Sequence, residues 1–135
     1  MKKRQIKMTI TVDETQARVI MNALEFYARM SLGQFDNAIH DLFLGRRKWD
    51  WAQFDHYAWL LKNTVFPELS KNESYGIYNN EAGEFAQIAW DIHQVIRHDL
   101  SWFMYPGGGM TVNFDKPMNT SEHKLPLVEI SEEKP

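Results

Sequence analysis

Cysteine is absent from the 135-residue sequence. That absence excludes a disulfide framework, a thiolate zinc site and a cysteine nucleophile together, and it fits a reducing compartment. An excess of positive charge is missing as well: 15 Lys and Arg stand against 18 Asp and Glu, a formal net charge of −3. Duplex nucleic acid is held by a field of cations that displaces counterions, so this balance argues against it as a partner. The two basic runs, Lys2-Lys3-Arg4 and Arg46-Arg47-Lys48, read as a solvated terminus and a solvated loop. Long apolar runs are also missing. No stretch approaches the roughly 20 residues that span a bilayer, and the basic opening is followed by alternation rather than by the apolar core of a signal peptide. The expectation is a cytoplasmic protein with no membrane partner.

What is plentiful is aromatic side chain, with Trp 5, Tyr 5 and Phe 8. Large rings serve cores, subunit interfaces and base-stacking sites alike, so their placement matters more than their number. The length predicts one domain over 1–135, with 122–135 a partly extended C-terminal segment. It suffices for a core without covalent or metal staples.

From Gln5 to Val12 the chain alternates, with Ile6, Met8, Ile10 and Val12 on one face and Lys7, Thr9 and Thr11 on the other. This predicts a half-buried strand. Asp13 with Gln16 three residues on has the form of a capping box, and the first helix is expected from Glu14 to about Met30. It carries two apolar stripes, Ala17-Ile20-Met21-Leu24-Ala28 and Val19-Ala23-Phe26-Met30, beside a polar stripe of Arg18, Asn22, Glu25 and Arg29. One apolar stripe serves one core; two point to a helix sandwiched between the core and a second subunit, hence to a homo-oligomer. A second helix is expected over Phe35–Leu44 and closed by Gly45. A third is expected over Asp50–Asn63, ahead of Pro67. Residues 68–83 form the main loop, rich in turn formers interleaved with Tyr75, Ile77 and Tyr78. The fourth helix is expected from Glu84 to about Phe103. Phe85, Ile88, Ala89, Ile92, Val95 and Ile96 form its core face, and Glu84, Gln87, Asp91, Gln94 and His98 its solvent face. Trp90, His93 and Arg97 run between the two. Met110–Phe114 and Leu125–Ile130 are further strand candidates. The expected fold is therefore α+β, with about four helices packed on a small antiparallel sheet formed by the N- and C-terminal strands.

Signatures of catalysis are sparse. His40-Asp41 and His98-Asp99 are His-Asp dipeptides of the kind used by HD-type metal-dependent nucleotide phosphohydrolases, but neighbouring helical residues point about 100° apart. His93 and His98 are five residues apart, which is not the i, i+4 spacing of a metal pair. No serine lies in a Gly-x-Ser-x-Gly elbow. Gly107-Gly108-Gly109 follows a helix, the reverse of a phosphate-cradling loop. We therefore expect neither catalytic residues nor a metal or cofactor, with the phosphohydrolase as the alternative and an adaptor that blocks a host protein as a third reading.

A binding site is better supported. A nucleotide ligand needs a ring to stack its base, donors for base edges and an arginine for phosphate. Candidates are Arg29 at the end of the first helix, Gln34 and Phe35 opening the second, and Tyr75, Tyr78 and Asn80 in the loop. Trp90, His93, Arg97 and His98 complete the set on the fourth.

Three stretches, Arg29-Met30-Ser31-Leu32-Gly33-Gln34-Phe35, Tyr75-Gly76-Ile77 and Ala89-Trp90-Asp91-Ile92-His93-Gln94-Val95-Ile96-Arg97-His98, resemble a family of small bacteriophage proteins. These are the signal-sequestering proteins that counter Thoeris immunity by binding glycocyclic ADP-ribose, with relatives that counter the cyclic-oligonucleotide system CBASS. The resemblance implies a binder without turnover, a homo-oligomer with pockets at subunit boundaries, and action in the cytoplasm of the host cell. It assigns no ligand contact to a particular position, so the site residues above rest on their chemistry.

Overall fold

The computed structural model describes residues 4–46, 48–106 and 116–132. Four α-helices carry the fold: α1 (Glu14–Ser31), α2 (Phe35–Leu42), α3 (Trp51–Val65) and α4 (Glu84–Met104), with a short 3-10 turn at Asn80–Ala82. α1 packs most extensively on α4, then on α2, which leads to α3.

The start of α1 is held by a complete capping box. Asp13 accepts from the backbone N–H of Gln16 at 2.8 Å and the Gln16 side chain accepts from the N–H of Asp13 at 3.0 Å, satisfying two of the donors a helix start leaves free. Its end is a Schellman turn: Gln34 N–H donates to Arg29 C=O at 3.0 Å and Gly33 N–H to Met30 C=O at 3.1 Å. The turn requires a left-handed residue, and Gly33 supplies it with φ +88°. A Cβ at Gly33 would also meet Leu69 Cδ1 at 2.9 Å. Gly45 has no such role. α2 ends at Leu42 with Phe43 as its cap, and among the described residues only Gly33 and Gly83 have positive φ.

The fold is all-helical, and this overturns the expected α+β class. No strand occurs among the described residues. Residues 5–12 keep their alternation but pair with nothing: no backbone–backbone hydrogen bond reaches them among the described residues, and Ile6 and Met8 stand 80% and 83% exposed. Alternation reports that a segment has an apolar face; it does not supply the neighbouring strand that a ladder needs. The Met110–Phe114 candidate lies outside the described residues. Leu125–Ile130 forms no ladder among the described residues either; the residues just before it in the C-terminal segment, Thr120, Ser121 and His123, hydrogen-bond to α4.

That segment is anchored at Asp91, which the helical period places on a solvent face but which is only 3% exposed. One carboxylate oxygen accepts from the N–H of Thr120 at 2.5 Å and lies 2.7 Å from its hydroxyl, and the other accepts from Ser121 N–H at 2.9 Å and Oγ at 2.6 Å. His123 Nε2 lies 2.7 Å from Glu84 one turn and more away. The segment therefore covers part of the polar face of α4 and buries Asp91; Gln94 on the same helix is buried as well. Phe85, expected in the core, is 71% exposed.

The core itself is built of small residues. Ala28, Ala38, Ala58, Ala82, Ala86 and Ala89 are buried with Leu32, Phe35, Leu69 and Val95. The main loop is tied down by Lys62, whose ammonium is buried and donates to the carbonyls of Lys71 and Glu73. Tyr75 N–H donates to Leu32 C=O at 2.9 Å, and Gln87 Nε2 to Ile77 C=O at 3.0 Å.

Candidate functional site

α1 and α4 run antiparallel. Near one end the guanidinium of Arg29 lies 6.0 Å from the centre of the Trp90 ring, and in the middle His93 Nδ1 donates to the Met21 carbonyl at 3.0 Å. Between them the polar stripe of α1 meets the Trp90-His93-Arg97 stripe of α4. The result is a groove of about 510 Å³ lined by Arg18, Met21, Glu25 and Arg29 from α1, and by Trp90, His93, Arg97, Leu100, Ser101, Met104 and Tyr105 from α4 and its cap. That volume falls in the roughly 300–1,000 Å³ range of small-molecule sites.

The charge in the groove is uneven. Among the described residues three guanidinium groups line it against the single carboxylate of Glu25. Arg18 is engaged by Glu14 at 2.8 Å on the open side of the helix. Arg29 is held twice, by Glu25 at 2.9 Å and by Gln34 Oε1 at 2.7 Å. Arg97 is half-buried and forms no hydrogen bond or ion pair with any described residue. A guanidinium carries five donors and stays charged at any physiological pH, so this one is free to engage an anion. Trp90 packs against His93 with ring centres 5.1 Å apart. Its indole N–H is buried without an acceptor among the described residues, so the ring offers the groove carbon rather than a donor.

His93 is 3% exposed. Burial holds its pKa below the ordinary histidine value, and Arg97 and Arg29 push the same way against the Met21 carbonyl and Glu25. The ring is neutral at pH 7. Its donated Nδ1 hydrogen leaves the lone pair on Nε2, which lies 4.0 Å from Glu25 Oε2.

Of the residues singled out from the sequence, the groove brings together Arg29, Trp90, His93 and Arg97. Gln34 stands behind them, fixing Arg29 and reaching Ser74 Oγ at 3.4 Å. Phe35 is a core residue, edge-on to Phe66 at 5.8 Å. Tyr75 packs on the same Phe66 at 6.0 Å. Desolvation, then the Glu68 carboxylate, raises the pKa of its hydroxyl above the ordinary tyrosine value. Tyr78 is 66% exposed and Asn80 opens the 3-10 turn, neither of them on the groove. His98 turns to Asp99 at 3.0 Å and to the Trp102 ring. Arg18, Ser101 and Tyr105 were not singled out, yet the same helical period carries the α1 stripe back to Arg18 and the α4 stripe on to Ser101 and Met104.

The other His-Asp pair, His40 with Asp41, lies on α2 with Nδ1 and Oδ1 3.4 Å apart. Among the described residues no three His, Cys, Asp or Glu side chains are grouped to hold a metal ion, and no helix is long and apolar enough to cross a membrane. Compared with protein-family models, with curated proteins and with solved structures, the chain matches none.

Proposed function

We propose that the α1–α4 groove binds a small anionic, nucleotide-derived ligand, and that the protein sequesters this signal without turning it over. The observation that carries this reading is Arg97, a guanidinium unpaired among the described residues and beside Trp90, with Arg18 and Arg29 on the opposite wall. An arginine fork matches phosphate oxygens in a bidentate way, and an indole face stacks a base without regard to its identity. Sequestration rather than catalysis is supported by the one histidine among the described groove residues: His93 is buried and its Nδ1 hydrogen is committed to a backbone carbonyl.

The resemblance to phage signal-sequestering proteins supplies the ligand class. A cyclic ADP-ribose isomer such as glycocyclic ADP-ribose comes first, with cyclic oligonucleotides second. In this reading the protein is made by a phage, acts in the host cytoplasm and blocks antiphage defence. It does so as a homo-oligomer, which the exposed Val19 and Tyr27 on α1 support.

Incubation of the protein with each ligand, removal of the unbound fraction and heat denaturation test the proposal. Intact ligand released in stoichiometric amount is the expected result. Release of a cleaved product would instead establish the phosphohydrolase, and failure to retain any of these ligands would leave the adaptor reading.

A further inference from the structure

The segment Gln5–Val12 has the alternation of an amphipathic strand but no paired neighbour among the described residues. Its four apolar side chains project into solvent, three of them more than 60% exposed, and its peptide groups form no backbone hydrogen bonds among the described residues. Unpaired strand edges with an apolar face are templates for pairing.

We propose that residues 5–12 pair antiparallel with the same segment of a second copy of this chain, forming between subunits a sheet that the described residues do not form within one. The occupant follows from self-complementarity. A two-fold axis through Thr9 sets Met8 against Ile10 of the partner subunit and Ile6 against the partner subunit's Val12. All four apolar residues of each strand then share one face. On the other face Lys7 stands opposite the partner subunit's Thr11 and Thr9 opposite the partner subunit's Thr9, a favourable cross-strand pairing. No like charges oppose one another within the ribbon. A register displaced by one residue would place each apolar side chain opposite a polar one. A two-stranded ribbon is marginal by itself, but each segment here runs through the Asp13 cap directly into α1, whose Val19 is also exposed. The inference rests on the homo-oligomer reading and is independent of the ligand.

The cysteine-free sequence makes a direct test available. Opposed residues in an antiparallel ladder have Cα atoms about 4.5–5.5 Å apart, within reach of a disulfide. Thr9→Cys is expected to give near-complete intermolecular disulfide under mild oxidation, and Thr11→Cys, which faces the partner subunit's Lys7, much less. Light scattering on the unmodified protein at tens of micromolar is expected to give at least twice the chain mass. Met8→Glu/Ile10→Glu is expected to reduce it to one chain with the helical circular dichroism retained. A single-chain mass for the unmodified protein would overturn both the homo-oligomer and the strand pairing. A multiple-chain mass with no preference for Thr9→Cys, or one unaffected by Met8→Glu/Ile10→Glu, would overturn the strand pairing alone.

Discussion

Individual side chains divide sharply between those that hold the groove and those that face it. His93 belongs to the first group. Its pKa is lowered in the folded chain, mainly by burial and further by Arg97 and Arg29. As the pH falls below the ordinary 6.5, the unfolded chain takes up a proton at this ring before the folded chain does, so stability decreases with falling pH in that window and is fully present above it. Melting temperatures between pH 7.5 and 5.5 are expected to fall less steeply for His93→Gln, whose amide can still donate to the Met21 carbonyl; an unchanged slope would show that another group carries the acid sensitivity. Asp91 fixes the C-terminal segment through Thr120 and Ser121. Asp91→Ala leaves those donors unpaired, at a cost on the order of 2–3 kcal/mol, to be read by urea denaturation and by earlier proteolysis within residues 117–123. Arg97 was legible in the sequence from its stripe with Trp90. The burial of Asp91 was not, since helical period places it with Glu84 and Gln87, and only a segment some thirty residues distant covers it. Phe35, Tyr75 and Tyr78 show the matching limit: ring chemistry makes them candidates, but contact with Phe66 or with solvent decides their place.

Helices were the most legible elements. α1 begins where Asp13 and Gln16 form a capping box, and all four helices lie within two residues of their expected starts and ends, because local periodicity and capping act over a few residues. The strands were not legible in the same sense. A ladder requires a second segment, and Gln5–Val12 carries a strand pattern with no such segment beside it among the described residues. Glycine positions illustrate how nearby sequence misleads. Gly45 sits where a helix cap is expected, but the left-handed residue is Gly33. Gly33→Ala forces that conformation on a residue with a Cβ, at about 1–2 kcal/mol, and drives the new atom against Leu69. Gly45→Ala meets nothing within 4 Å and is expected to be neutral. Comparing the two in denaturant titrations checks the assignment, and equal losses would contradict it.

At the scale of the whole molecule, a small alanine-rich core and an arginine-lined groove belong together. The groove between α1 and α4 lies within one chain, and α1 is closed at both ends, by the Asp13 capping box and the Gly33 turn. The central claim is that this groove grips phosphate through Arg97. Calorimetric titration with glycocyclic ADP-ribose of the unmodified protein, Arg97→Ala and Tyr78→Ala tests it most directly. Loss of a charge-assisted hydrogen bond removes roughly 1.5–3 kcal/mol, so Arg97→Ala is expected to weaken binding on the order of ten- to a hundredfold with folding intact. Tyr78→Ala, on the exposed loop away from the groove, is expected to bind as the unmodified protein does. Equal affinity for unmodified protein and Arg97→Ala, or a loss confined to Tyr78→Ala, would contradict the account and place the ligand elsewhere.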